Sequence, residues 1–184
     1  MPVQTPICDF GKKALPFELK STDNKIISLD DIKGENGTLI MFICNHCPYV
    51  KAITKEIVED CNELKKIGIN SVAICSNDFI NYPEDSFDNM IKFSKDNQFS
   101  FPYLQDETQK IAKKYDAVCT PDFFGYDKDL GLQYRGRLRE LKNFIPVKDG
   151  ESDLLKAMKQ IAETGKGPQN QIPSAGCGIK WKYN

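Results

Sequence analysis

The stretch Thr38–Val50, TLIMFICNHCPYV, decides how the rest of the chain is read. Leu39-Ile40-Met41-Phe42-Ile43 is an apolar run rich in β-formers, and its continuity suits an interior parallel strand covered on both faces. It runs into Cys44-Asn45-His46-Cys47, after which Pro48 opens a helical pattern. A strand that empties into a helix start aims unpaired backbone N–H groups and the positive end of the helix dipole at whatever sits there. Pro48 fits the first helical position, where a missing N–H costs nothing, so Cys47 falls at the cap and Cys44 in the turn before it. A thiolate gains most from the cap position. Cys47 is therefore the expected nucleophile.

A CxxC pair can also be half of a zinc site. Zinc normally takes four ligands, and this chain has no second CxxC; its one histidine, His46, lies inside the motif. No metal or other cofactor is expected on that count, and a CxxC within alternating strands and helices reads as redox chemistry.

The 184 residues suit a single domain spanning 1–184, with 40% hydrophobic and 28% charged residues. The net charge of −1, with signs interspersed, gives no support to a nucleic-acid partner. The first residues, MPVQTPICDFGKKALPF, lack a basic segment followed by an apolar one, and no run approaches the ~18 apolar residues of a membrane span. A cytoplasmic protein with no membrane partner is expected. Seven cysteines (Cys8, Cys44, Cys47, Cys61, Cys75, Cys119, Cys177) are odd in number and scattered, which points to reduced thiols and not to a disulfide framework.

Residues 1–16 read as an irregular arm. Phe17–Leu19 and Lys25–Leu29 form a hairpin around Ser21-Thr22-Asp23-Asn24. Beyond the central strand, Val50, Ile53, Ile57, Cys61 and Leu64 recur at helical spacing, which predicts one helix from Pro48 to Ile67 closed by Gly68. Cys61 on that stripe is a small buried hydrophobe. A second strand over Ile69–Ser76, a helix over Glu84–Lys95, a short strand at Phe99–Leu104 and a helix from Asp106 to Tyr115 follow. Thr120-Pro121 precedes an apolar run, where a proline belongs at the first residue of a strand. Such a bond can be cis in a tight turn. Leu132–Arg137 returns as a partner strand, and Asp149 or Ser152 caps a last helix ended by Gly165. The tail, 165–184, holds the one tryptophan, Trp181, and is expected to pack back on the domain.

With these features together, the chain resembles thioredoxin-fold proteins of the branch that includes peroxiredoxins. NHCPYVK (Asn45–Lys51), CTPDFF (Cys119–Phe124), YRGR (Tyr134–Arg137) and PSAGCGIKW (Pro173–Trp181) are similar to an uncharacterised, peroxiredoxin-like, AhpC/TSA-related group. The resemblance implies an α/β, three-layer fold with a central mixed sheet, an N-terminal hairpin, an inserted helix and a C-terminal tail. It implies a thiol-disulfide oxidoreductase acting on protein or low-molecular-weight thiols and disulfides.

Two registers are open for the thiols. Laid on the thioredoxin CxxC, Cys44 attacks and Cys47 resolves; counted from Phe42, Cys47 takes the attacking position and Val50 replaces the resolver. The second register is preferred because it sets Pro48 at the helix start, leaving Cys44 or Cys177 as the resolving thiol. By the same resemblance, Asn45, Thr120 and Pro121 face the substrate. His46 is read as a thiolate stabiliser, a general base or a solvated turn residue. The first role would set the potential between about −270 and about −120 mV. A thiol peroxidase is the alternative enzyme, but Ile40 and Cys44 stand where peroxiredoxins carry Pro and Thr or Ser. Only Arg135 and Arg137 could serve for their arginine. The non-enzymatic alternative is a copper-binding or other metal-binding module.

Overall fold

The computed structural model describes residues 1–183. In chain order its elements are β1 (Val3–Gln4), β2 (Glu18–Ser21), β3 (Ile26–Ser28), α1 (Leu29–Ile32), β4 (Gly37–Phe42), α2 (Pro48–Lys51), α3 (Thr54–Lys66), β5 (Ile69–Cys75), a 3₁₀ turn (Pro83–Asp85), α4 (Phe87–Asp96), β6 (Tyr103–Gln105), α5 (Lys110–Lys114), β7 (Cys119–Thr120), β8 (Asp122–Tyr126), β9 (Leu132–Tyr134), β10 (Leu141–Lys142), β11 (Ile145–Pro146), α6 (Asp153–Thr164) and β12 (Ala175–Gly178).

The main sheet has seven strands in the order β3-β2-β6-β5-β4-β8-β9. It is mixed: β4 runs parallel to β5 and antiparallel to β8. Strand alternation sends Leu39, Met41 and Ile43 to one face, where they pack with Ile57 and Leu64 of α3 and Leu154 and Met158 of α6. Ile40 and Phe42 face the other way, toward Ala112, Tyr115 and Phe124. Each such side chain contributes about 1.5–3 kcal/mol on leaving water. Burial on both faces explains why the central strand shows no polar alternation, and it makes the architecture the expected three-layer α/β fold. Among the described residues no helix is long and apolar enough to cross a membrane.

The long helix expected over Pro48–Ile67 is broken. Ile53 leaves helical geometry (φ −120°) between α2 and α3. The Thr54 hydroxyl donates to the Val50 carbonyl at 2.7 Å, and the Ile53 N–H takes the same carbonyl at 3.0 Å. Side-chain competition for that acceptor separates the short thiol-bearing turn from the helix that carries the core stripe. The helix expected from Asp106 shrinks to α5 because Gln109 adopts φ 64°. Its amide bridges the carbonyls of Ser76 and Lys180. Asp106 still caps, accepting from the N–H of Ile111 and of Ala112.

Three further elements escaped the periodicity. A Ser28–Asp31 capping box builds the one-turn α1. A small hairpin joins β10 and β11. The arm is also not wholly irregular, since β1 pairs with β12, and β12 pairs on its other edge with β7. The tail thus lies as the middle strand of a second, three-stranded sheet over the Thr120-Pro121 loop.

Candidate thiol site

Cys47 is the N-cap residue of α2 with Pro48 directly after it, and Cys44 ends the extension of β4 three residues earlier. Facing them is the β7–β8 loop, whose Thr120-Pro121 peptide is cis. The Cys47 sulfur sits 3.2 Å from the Thr120 carbonyl oxygen, and the Cys44 sulfur 3.5 Å from the Thr120 hydroxyl. Cys177 on β12 is in register with Thr120. Three thiols therefore converge on one loop.

Their electrostatics differ. The Cys44 thiol, more than any other group, holds Cys47 down to about 4 by donating to its sulfur; Cys177, the Thr120 hydroxyl and the Val50 N–H add to this, against burial. As a thiol Cys47 donates to the Thr120 carbonyl, which favours the neutral form. Four donors outweigh one acceptor, so the direction is downward. Cys44 moves the opposite way, raised by its bond to Cys47, by burial and by the nearby carboxylate of Asp85. Cys177 is pushed up to about 11 by burial and then by Cys47. The pair is divided into a thiolate and a thiol that stays protonated.

The CNHC turn is held by a buried carboxylate. Asp85, 1% exposed, accepts the Asn45 N–H and the Asn77 amide, each at 2.8 Å. Asn45 in turn accepts from the Tyr103 hydroxyl at 2.8 Å and donates to the Glu84 carbonyl. So Asn45 is turned inward to fix the turn. His46 Nδ1 lies 2.7 Å from Asp85, but off the line of a hydrogen bond, and the ring stacks parallel to Tyr82. A sulfur of Cys44, a ring nitrogen of His46 and an oxygen of Asp85 lie within 4.8 Å of one another, so these three could hold a metal ion. Both Asp85 oxygens already serve amide donors, and an ion there would compete with them.

Arg135 and Arg137 are each engaged with a carboxylate. Arg135 is buried in a two-point pair with Asp122 (3.2 and 2.9 Å), donates to the Asp116 carbonyl and lies over the Phe124 ring. Arg137 pairs with Asp153 at 2.7 Å. Beside Pro121 a cavity of about 240 Å³ is lined by Tyr49, Ile53, Arg137 and Ile172 among others. Of the remaining cysteines, Cys61 and Cys75 are pushed up to about 12 by burial, Cys8 to about 11 and Cys119 higher still. Cys61, Cys75 and Cys119 are buried in the core, out of reach of an external sulfur, whereas Cys8 is part-exposed and lies in the N-terminal arm.

Asp85, Asn77, Tyr103, Ser174 and Gly176 complete the site, and none was a candidate from the sequence. Asp85 carried a weak signal, an acidic residue just after Pro83 in an insertion between strands.

The fold and the paired thiols at a helix start define a thioredoxin-like protein. The chain belongs to the AhpC/TSA family, whose model matches residues 10–137. It is similar over its whole length to an uncharacterised conserved protein from Geobacillus kaustophilus (44% identity, 98% of that chain covered, TM-score 0.93). It is also similar to a hypothetical protein from Sinorhizobium meliloti (31% identity, both chains covered in full, TM-score 0.91). A thiol:disulfide interchange protein from Chlorobium tepidum shares the fold at 15% identity, with 83% of this chain and 97% of that one covered and a TM-score of 0.63. Among curated proteins, none matches the chain.

Proposed function

We propose that the chain is a thiol-disulfide oxidoreductase with Cys47 as nucleophile and Cys44 as resolving thiol. The observation that carries this reading is the division of charge at the site: donors from four groups converge on Cys47 while Cys44 is held protonated. Ionised Cys47 attacks one sulfur of a disulfide; a Cys47 mixed disulfide forms, and the other half leaves as a thiolate. Cys44 then gives up its proton to the departing sulfur and attacks Cys47 Sγ. The Cys44–Cys47 disulfide forms and the second half leaves as a thiol. A dithiol donor reverses both steps.

The test is exchange between a small dithiol and a small disulfide, followed by mass mapping of the protein. Turnover should vanish in Cys47→Ser, and a disulfide on Cys47, to the small probe or to Cys177, should accumulate in Cys44→Ser. Undiminished turnover in Cys47→Ser would sink the reading.

Membership of the AhpC/TSA family favours a second reading, a thiol peroxidase. Cys47 would break the O–O bond, become a sulfenic acid and release water or an alcohol; Cys44 would then displace water from the sulfur. Against it, Arg135 and Arg137 are each engaged with a carboxylate. Consumption of hydrogen peroxide with a thiol donor, lost in Cys47→Ser, would establish it. The Cys44, His46 and Asp85 cluster favours a metal-binding module instead, to be recognised by copper retained through purification with the thiols protected.

A further inference from the structure

Cys47 is fully buried and Cys44 1% exposed, so no external sulfur reaches either of them in this conformation. Cys177 alone of the three converging thiols is part-exposed. It is delivered by β12, which lies antiparallel along β7 with Cys177 opposite Thr120 and Gly178 opposite Cys119. That edge is where an extended polypeptide would otherwise add as a strand beside the thiolate. The chain's own tail fills it, and β1 covers the far edge of the tail in turn.

The tail is built to stay there. A Cβ on Gly176 would stand 1.9 Å from the Thr120 carbonyl oxygen and 2.6 Å from its carbon, so only glycine allows this approach. The strand is tied upstream, where Ser174 donates its hydroxyl to the Pro121 carbonyl at 2.8 Å and exchanges two bonds with Thr5. Downstream, the Lys180 N–H donates to the Asn77 side chain at 2.9 Å and the Lys180 carbonyl accepts from the Asp78 N–H at 2.8 Å.

We propose that Cys177 is the entry thiol of the site and that its substrate is a low-molecular-weight disulfide, not an extended polypeptide. This rests on the exchange reading above and reverses the part of Cys177 from resolver to port. The Cys177 thiol attacks the small disulfide, forms a mixed disulfide with one half and passes its proton to the other, which leaves as a thiol. Ionised Cys47, in contact with Cys177, attacks Cys177 Sγ; the second half leaves as a thiolate and a Cys47–Cys177 disulfide remains. Cys44 attacks Cys47 Sγ, its proton passes to the departing Cys177 sulfur, and Cys177 is restored as a thiol. Once solvent protonates the second half, the net change is reduction of one small disulfide to two thiols and oxidation of the Cys44–Cys47 pair. The groups facing Cys177 are Cys47, which raises it, Lys180, which lowers it, and Cys119 on β7; β1 presents only Val3 and Gln4.

The test uses the full reduced chain with bis(2-hydroxyethyl) disulfide as probe, following formation of the Cys44–Cys47 disulfide by quenched mass mapping. Cys177→Ser should slow it by about tenfold or more, and Cys47→Ser should trap the hydroxyethyl adduct on Cys177. Gly176→Val, which drives the strand off the loop, should slow the small probe and admit a disulfide-bearing peptide that the natural chain refuses. If Cys177→Ser is oxidised as fast as the natural chain or faster, the tail is only a cover, Cys47 meets the substrate directly, and the proposal falls with the exchange reading intact. If no Cys44–Cys47 disulfide forms in any variant, the exchange reading itself has failed.

Discussion

The sulfur of Cys47 and the carbonyl oxygen of Thr120 meet at 3.2 Å across 73 residues of sequence. The contact joins the helix-capping turn that bears the thiols on one side and the cis-proline loop on the other. It also keeps the thiol form of Cys47 available as a donor, so the ionised form depends on the other thiols. Removing Cys44, the largest cause of the lowered Cys47 value, should therefore move the midpoint up.

Thiolate absorbance near 240 nm, read as the difference between the natural chain and Cys47→Ser, should titrate with a midpoint near 4. In Cys44→Ser the midpoint should rise toward the ordinary cysteine value of about 8.5. The sign for stability follows. Between the folded and unfolded values the unfolded chain binds the extra proton, so the contribution of Cys47 to the reduced protein grows from pH ~4 to pH ~8.5 and is lost as pH falls through the folded value. Cys44, raised, acts the other way above pH ~8.5. A difference spectrum with its midpoint above pH ~7 would contradict the site electrostatics.

A thiolate stabilised in the reduced state makes its disulfide more oxidising. The Cys44–Cys47 couple should lie less negative than the about −270 mV of thioredoxin, measured against a glutathione buffer. Since reduction takes up a single proton between the Cys47 and Cys44 values, the potential should change by about 30 mV per pH unit from pH ~5 to ~8, half the two-proton slope. A two-proton slope over that range would show that Cys47 is protonated there.

Asp85→Asn keeps the shape of the side chain but turns one acceptor into a donor facing the Asn77 amide or His46. With the Asp85 side chain fully buried, the mismatch should cost about 1–3 kcal/mol in urea unfolding. Loss of the carboxylate should also let Cys44 ionise at lower pH, since Asp85 is one of the groups that raise it. Unchanged stability together with an unchanged Cys44 titration would remove Asp85 from the site.

These partners mark the boundary of what local sequence carries. The strand–turn–helix around Cys47 was legible because its signals (an apolar run, a cap and Pro48) all lie within a few residues of one another. Asp85 was not, since it acts on Asn45 from 40 residues away and inside an insertion whose packing has no periodicity. The tail's Trp181 predicted that it would pack, but nothing local could set Cys177 opposite Thr120; that register depends on Gly176 fitting against a carbonyl from a distant loop. The helix break at Ile53 was missed for a different reason. The apolar spacing continues through it, and the interruption comes from the hydroxyl of Thr54.

Arg135 gives the test of the loop itself. Its guanidinium holds the fully buried carboxylate of Asp122, the residue after Pro121; burial raises that carboxyl above its ordinary value, and Arg135 lowers it in part. Arg135→Met leaves Asp122 with only the backbone N–H groups of Val118 and Cys119. The unpaired buried group should cost about 3–5 kcal/mol. Because Asp122 anchors the loop that sets the Thr120 carbonyl against Cys47, disulfide formation should slow in the same variant. The double change Arg135→Met with Asp122→Asn removes the charge along with its partner, and should recover most of the stability in urea unfolding. If Arg135→Met alone loses less than about 1 kcal/mol, the pair is not what holds the loop.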